Sequence, residues 1–164
     1  MFPTGPRSVL AVISAALLFA FLLTGCAPSA ENAASQRDTE GRIPLSIVTD
    51  SGTHNYRVEL AITGQEQARG LMFRQEMAAD HGMLFPFAPA RPASFWMRNT
   101  YIPLDMIFIS PDGTIESVAA DTVPLTEQSY SSQGAVAAIL ELNGGEAARI
   151  GAKAGDAVTY ELPQ

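Results

Sequence analysis

Apolar and polar residues alternate along several short segments of the chain, which is the pattern of strands with one buried face. The alternation is regular from residue 56 to residue 62, where Tyr56, Val58, Leu60 and Ile62 share one side. Further short apolar segments predict strands at 45–49, 83–87, 94–99, 104–110, 114–123, 135–142 and 157–162. Short strands at this spacing predict a mainly β domain, either an antiparallel β-sandwich or a barrel-like fold.

One or two short helices complete the predicted domain. Thr63 and Glu66 have the spacing of a capping box, so a helix should begin there, and Gly70 can end it. A second helix is predicted around residues 145–150, after a glycine pair that gives the backbone freedom to turn. Turn residues at 111–113 should join two of the strands as a hairpin.

The first part of the chain has a different pattern. Residues 9–23 are apolar except for Ser14, and Arg7 is the only charged side chain before Glu31. This segment is shorter than the about 20 residues of a membrane-spanning helix. A basic start followed by such a segment predicts a secretory signal. The segment ends in Leu23-Thr24-Gly25-Cys26, which resembles the bacterial lipobox, and the resemblance implies that Cys26 is lipidated.

These patterns divide the chain into three predicted parts. They are a signal peptide at 1–25, a lipidated Cys26 with a flexible tether reaching residue 42, and a single β-rich domain at 43–164. A lipidated cysteine implies an exported protein attached to a membrane through its acyl chains. Ala27 follows the cysteine. By resemblance to lipoprotein sorting in Gram-negative cells, a residue other than Asp at this position favours the periplasmic face of the outer membrane.

Charge and cysteine content narrow the function classes. The chain of 164 residues has 10 Lys plus Arg against 17 Asp plus Glu, a formal net charge of −7. Nucleic-acid binding needs clustered positive charge, so the excess of acidic residues argues against it. For the same reason we do not expect anionic partners in general. The single cysteine excludes an internal disulfide and a cysteine-based zinc site. No cofactor is predicted.

Methionine and aromatic residues are concentrated between positions 72 and 106. This stretch contains the only tryptophan, Trp96, and all the methionines except the first residue. Packing in an irregular core is the simplest explanation, because methionine fills gaps beside aromatic rings. The alternative is a Cu(I) site, because thioethers suit that ion, and its ligands would be His81, Met83 and Met97.

Polar side chains are embedded in the same stretch, namely Arg74, Arg98, Asn99 and Asp105. A charge buried among apolar residues must be paired or hydrogen-bonded, so either arginine could clamp Asp105 in a structural network. The same side chains could instead surround the mouth of an apolar ligand pocket. The residue types alone leave both interpretations open.

No nucleophile motif or phosphate-binding loop is recognisable, so an enzyme would depend on acid–base chemistry. Asp105 or Glu76 could supply it beside Arg74 or Arg98. Glu141 lies on the face of its strand opposite the apolar residues, and we expect it to be solvated.

Four motifs occur in order along the chain: Gly70-Leu71-Met72-Phe73-Arg74, Gly82-Met83-Leu84-Phe85, Phe95-Trp96-Met97-Arg98-Asn99-Thr100 and Pro103-Leu104-Asp105. Together they resemble the bacterial and archaeal domain of unknown function family one-nine-two, over residues 45–162. The resemblance implies a β-rich, sandwich-like fold and frequent export, and it carries no established activity. It marks as motif positions Arg74, Trp96, Met97, Asn99 and Asp105.

Three functions are consistent with these observations. The first is a lipid-anchored binding or accessory module of the cell envelope that recognises a small molecule, a glycan or an envelope protein. Its site would include Trp96, on which a sugar ring could stack, together with the embedded polar residues and Met97. The second is the acid–base enzyme, and the third is a Cu(I)-handling protein.

Overall fold

The computed structural model describes residue 38 and residues 40–163. Within this part of the chain, the elements follow in the order β1 (Ile43–Thr49), β2 (Gly52–Leu60), α1 (Gly64–Arg69), β3 (His81–Arg91), β4 (Ser94–Phe95), β5 (Leu104–Ile109), β6 (Ile115–Thr122), β7 (Tyr130–Ser131), β8 (Val136–Asn143), α2 (Glu146–Ile150) and β9 (Ala157–Tyr160). The domain is mostly β with two short helices, as predicted.

Seven strands form one curled sheet, in the spatial order β6-β5-β8-β3-β2-β1-β9. The two edge strands approach each other, because the backbone N–H of Ile115 donates to the oxygen of Asp156 and that of Val158 donates to the oxygen of Gly113, both at 2.8 Å. The sheet is therefore a half-barrel, which agrees with the barrel-like prediction. Its one departure from an antiparallel arrangement is the parallel pair β2 and β3, which α1 and its following loop connect.

The inner core lies inside the curl and receives side chains from every strand of this sheet. It is almost entirely aliphatic, and its buried members are Ile43, Leu45, Ile47, Tyr56, Val58, Leu84, Ile107, Ile109, Ile115, Ala138, Leu140, Leu142, Ile150 and Val158. The region is closed to solvent, so it supplies the hydrophobic stabilisation of the half-barrel.

The outer core lies on the other face of β3, β5 and β8. Its buried members are Ala61, Leu71, Met83, Phe85, Phe87, Ala93, Met97, Leu104, Met106, Phe108, Val136 and Ile139. The loops around α1, β4 and β7 cover it. Every residue of β5 is buried as a result, because this central strand is covered on both faces.

Local predictions agree with the structure at α1 and differ at β4. The capping box is confirmed, because Thr63 Oγ1 accepts from the Glu66 N–H at 3.2 Å and Glu66 Oε2 accepts from the Thr63 N–H at 2.8 Å. The strand predicted at 94–99 is wrong beyond its first two residues. There the chain turns, because Asn99 has a left-handed φ of 56° and the Met97 N–H donates to Thr126 in another loop.

The predicted signal peptide, Cys26 and most of the tether fall in residues 1–37, outside the described part of the chain. At its described end, Asp38 accepts hydrogen bonds from the N–H groups of Glu40 and Arg42, both at 2.9 Å. None of the described helices is long and apolar enough to cross a membrane.

Candidate functional site

An open pocket of about 410 Å³ lies against the outer core, between α1, the outer face of the central strands and the segment from β4 to residue 100. This volume is in the range of small-molecule sites. The buried part of the lining is formed by Leu71, Phe85, Thr100 and Glu141. Exposed residues at its mouth are Ala68, Arg69, Arg91, Ser94, Trp96 and Ser129.

Glu141 supplies the carboxyl group in this pocket. It lies on β8 opposite Met83 of β3 and Met106 of β5, so its side chain leaves the sheet between two thioethers. Its exposed fraction is only 5%, and no donor in the described part of the chain reaches Oε2. Burial raises the pKa of Glu141 to about 8. At neutral pH the carboxyl is therefore mostly protonated and can donate a hydrogen bond to a molecule in the pocket.

The expectation that Glu141 is solvated is wrong, and the reason is its place in the sheet. β8 lies between β3 and β5, and the outer core covers the face that an isolated hairpin would leave in water. The segment at 104–109, which is apolar on both faces except at Asp105, was the available signal, because a strand that is largely apolar on both faces indicates a sheet that is covered on both faces.

Aromatic side chains form one wall of the pocket. The rings of Phe85 and Phe95 meet edge to face, with centroids 4.7 Å apart and planes at 82°. The end of α1 lies directly on Phe85 at Gly70, where a Cβ atom would come within 3.3 Å of the ring and where φ is 48°. A glycine there lets the helix end against the wall without displacing it.

Two arginines lie at the mouth of the pocket, each at the end of an element that borders it. Arg69 is the last residue of α1, and Arg91 is the last residue of β3. The guanidinium carbon of Arg91 lies 4.2 Å from the centroid of the Phe87 ring. This stacking orients the group while its N–H donors stay free to bond in the plane.

The loop from Trp96 to residue 101 carries the only tryptophan to the mouth, with 47% of its surface exposed. Backbone bonds hold this loop, because the Phe73 N–H donates to the Asn99 oxygen at 2.8 Å and the Leu125 N–H donates to the Thr100 oxygen at 3.1 Å. The Asn99 side chain donates to the sulfur of Met72 at 3.9 Å. The apolar side chain of Met97, by contrast, is fully buried in the outer core.

Asp105 is fully buried on β5, and backbone amides surround its carboxylate. Oδ1 accepts from the N–H of Asp121 at 2.6 Å and of Gly145 at 3.1 Å, and Oδ2 accepts from the N–H of Ala147 at 2.6 Å. We call these three donors the Asp105 cradle. It joins β5 to the end of β6 and to the start of α2.

Neither of the two arginines that could have clamped Asp105 contacts it. Arg74 pairs instead with Glu59 on β2 through two hydrogen bonds, of 2.6 and 2.9 Å. Arg98 lies 5.7 Å from the Trp96 ring and 3.7 Å from a Glu127 oxygen, at the surface. Backbone donors replace the arginine because two loops end beside the strand, which the sequence pattern does not reveal.

The predicted binding residues therefore occupy different places. Trp96 lines the pocket; Asn99 and Arg98 belong to the loop that carries it; Met97 lies in the core beneath this loop. Glu76 is exposed and does not line the pocket. The sequence interpretation missed Glu141 and both mouth arginines, since their convergence depends on long-range strand pairing.

The predicted copper ligands differ in their surroundings. Met83 and Met97 are buried members of the outer core, and Met83 is paired across the sheet with Glu141. His81 contacts the guanidinium of Arg42 at 3.2 Å and a carboxylate oxygen of Asp80 at 3.7 Å. No group of three or more His, Cys, Asp or Glu that could hold a metal occurs in residue 38 or 40–163.

Fold and pocket together define a class: a β half-barrel domain with a small-molecule-sized pocket on the outer face of its sheet. The chain belongs to the DUF192 family, described as uncharacterized ACR, which matches residues 46–160. A search of curated proteins finds no match.

Two solved structures are similar to this chain. A protein of unknown function from Novosphingobium aromaticivorans is 45% identical with a TM-score of 0.73, and the match covers 78% of this chain and 93% of that one. A protein from Sinorhizobium meliloti named provisionally as a transcription regulator is 46% identical with a TM-score of 0.69, covering 71% and 91%. Family and neighbours thus support the fold and bring no specific function.

Proposed function

We propose that this domain is a binding module that takes a small molecule into the pocket between α1 and the outer face of the sheet. The observation that carries the proposal is the buried carboxyl group of Glu141, which lines the pocket and whose Oε2 has no hydrogen-bond partner among the described residues. A buried polar atom without a partner costs free energy, and a bound molecule that supplies the partner recovers it. The aromatic wall of Phe85 and Phe95 supplies the apolar contact that such a site needs.

Binding is favoured over catalysis by the composition of the pocket lining. A protonated carboxyl can serve as a general acid, but acid–base catalysis normally pairs it with a second ionisable group of different pKa. Among the described residues that line the pocket, Glu141 is the only Asp, Glu, His or Cys. Of the two acids that the sequence suggested, Asp105 has its oxygens occupied by the cradle and Glu76 is exposed, and neither lines the pocket.

The cellular setting of the proposed module follows from the first residues of the chain. The resemblance of residues 23–26 to a lipobox supports an exported protein anchored through Cys26 in the cell envelope. A tether between anchor and domain would let the pocket face the periplasm. Metabolic labelling with a radioactive fatty acid tests this part separately, since Cys26→Ser should abolish the label.

The binding test uses the full chain in detergent micelles and its own fluorescence. Trp96 is the only tryptophan and lines the pocket, so a molecule that enters should change its emission. The probe is para-hydroxyphenylacetamide, a neutral ring with a hydroxyl that could meet Glu141. We expect a saturable change in the wild type, and an affinity about tenfold lower in Glu141→Leu because one hydrogen bond is lost.

A matched pair of variants separates the pocket from the rest of the surface. Ala68 and Ala148 are exposed alanines on α1 and α2, and only Ala68 lines the pocket. Ala68→Phe should obstruct the mouth and abolish the saturable change, whereas Ala148→Phe should bind like the wild type. An equal response in both variants would overturn the proposal. So would the failure of both this probe and its carboxylate analogue to give a saturable response in the wild type.

A further inference from the structure

Two arginines at the mouth of the pocket lack the nearby carboxylate partners that most other basic groups in the described part of the domain have. Carboxylate partners lie within 4 Å of the basic groups of Arg42, Arg74, Arg98, Arg149 and Lys153. Arg69 and Arg91 have no such partner in residue 38 or 40–163, and both line the pocket. In a chain of net charge −7, two unpaired arginines at one pocket are a local reversal of sign.

The described residues in the inner part of the pocket supply little compensating negative charge. Glu141 is the only carboxyl among the described lining residues, and burial between Met83 and Met106 keeps that group mostly protonated at neutral pH. A protonated carboxyl does not neutralise the arginines, and it offers one hydrogen-bond donor and one acceptor. The pocket therefore has a cationic mouth and a neutral polar group in its buried part.

Apolar surface lies between these two ends. Phe85, Phe95 and Leu71 line the wall, and half-exposed Trp96 stands at the mouth. A flat ring fits against such aromatic surfaces through edge and face contacts. A volume of about 410 Å³ accommodates a molecule of metabolite size.

We infer that the ligand is a small organic anion with a ring-like apolar body, whose anionic group meets Arg69 and Arg91 and whose other end meets the carboxyl of Glu141. This assignment rests on the proposed binding function and specifies its ligand class. Guanidinium groups suit carboxylate, sulfonate and phosphate oxygens through paired N–H donors, so any of these could be the anionic group. The overall negative charge, which made anionic partners an unfavourable expectation, is thus a poor guide to the pocket.

The test compares two probes of the same shape, para-hydroxyphenylacetate with an anionic carboxylate and para-hydroxyphenylacetamide with a neutral carboxamide, titrated into the full chain with Trp96 emission as the signal. We expect the carboxylate to bind about tenfold more tightly than the amide, and added salt to reduce this difference. Arg69→Gln and Arg91→Gln should each weaken carboxylate binding severalfold and amide binding less, so that the difference in affinity between the two probes becomes smaller. Arg57→Gln is the matched control, because Arg57 has no carboxylate partner among the described residues and lies outside the pocket.

The outcomes separate the ligand class from the binding function. Equal affinity for both probes would overturn the anion assignment, as would equal losses of carboxylate affinity in Arg57→Gln and in the mouth variants. Saturable binding in the same experiment would still support the proposed binding function. Failure of both probes to bind the wild type would overturn both proposals. Weaker carboxylate binding confined to the mouth variants, with unchanged thermal unfolding, would support the assignment.

Discussion

Two buried carboxyl groups on neighbouring strands of this domain have opposite surroundings. Asp105 of β5 pairs in register with Leu142, and Glu141 of β8 pairs with Met106, so they lie one position apart and leave the sheet on opposite faces. Asp105 has no exposed surface and accepts three backbone hydrogen bonds. Glu141 is almost equally buried, yet its Oε2 has no described partner.

The difference separates a structural acid from a candidate binding group. A carboxylate that accepts several N–H bonds has its hydrogen-bonding capacity used and fixes the backbone segments that donate them. A carboxyl without donors in an apolar region becomes neutral and leaves its hydrogen-bonding capacity unused. Burial alone therefore does not show what a carboxyl group does. The hydrogen-bond partners of its two oxygens distinguish a structural group from a candidate binding group.

Removal of the cradled carboxylate should have the largest effect on stability. Asp105→Ala would leave the N–H groups of Asp121, Gly145 and Ala147 without their acceptor inside the protein. The Ala147 bond is buried and the other two are part-buried, and an unsatisfied donor costs about 1–3 kcal/mol when buried, so we expect the free energy of unfolding to fall by about 4–5 kcal/mol. Urea denaturation followed by circular dichroism measures this change.

Asp80→Ala is the control for that measurement, because Asp80 is exposed. It should alter the free energy of unfolding by no more than about 0.5 kcal/mol. A loss below about 1 kcal/mol in Asp105→Ala would show that water or other donors replace the cradle.

The pH dependence of stability should report the neutral carboxyl. In the unfolded chain Glu141 ionises near its ordinary pKa of 4.5, and in the folded protein its pKa is about 8. Folding therefore retains a proton between these values, so the free energy of unfolding falls as pH rises from 4.5 through 8. The expected loss from this group is on the order of 4 kcal/mol.

Comparison with Glu141→Gln isolates this contribution, because other carboxyl groups titrate equally in both proteins. The wild type should lose stability relative to the variant across this pH range, and the variant should be the more stable protein above pH 8. Parallel stability curves for the two proteins would contradict the prediction and indicate that Glu141 ionises normally. Urea midpoints at several pH values provide the data.

The fold was predictable to the level at which local patterns determine it. The alternation from Tyr56 placed the second half of β2, which ends at Leu60 and leaves Ile62 exposed rather than on the buried face. The Thr63–Glu66 spacing placed the start of α1, because a capping box depends on neighbouring residues. The curl of the sheet and the parallel pair β2 and β3 depend on which strands meet, which periodicity does not encode.

The candidate site was predictable only in part, for the same reason. Trp96 was identified because methionine and aromatic residues are concentrated around it in the sequence, and in the structure it lines the pocket. Arg69, Arg91 and Glu141 come from α1, β3 and β8, and only tertiary pairing brings them to one pocket. Asp105 was recognised as buried and polar, but its partners are backbone N–H groups at the end of β6 and the start of α2, which side-chain types do not reveal.

A smaller effect should follow from crowding the cradle without removing its carboxylate. A Cβ atom at Gly144 would come within 2.9 Å of both Asp121 Oδ1 and Pro103 Cβ, beside the segment that donates to Asp105. Gly144→Ala should therefore lower the free energy of unfolding by about 2 kcal/mol. The matched variant Gly134→Ala, whose nearest neighbour is 3.9 Å away, should be close to neutral. Equal effects in thermal unfolding would exclude a specific role for close packing at Gly144.

The smallest effect should come from the loop that carries Trp96, where geometry rather than a side-chain contact is decisive. Asn99 has a φ of 56°, a conformation that glycine and asparagine tolerate and alanine does not. Asn99→Ala should lower the free energy of unfolding by about 1 kcal/mol, and Asn99→Gly by less than about 0.5 kcal/mol. If the weak bond from the amide to the Met72 sulfur mattered more than the backbone, both variants would lose stability equally. Thermal unfolding distinguishes these results, and Trp96 emission with the amide probe shows whether the pocket keeps its shape, which Asn99→Gly should leave unchanged.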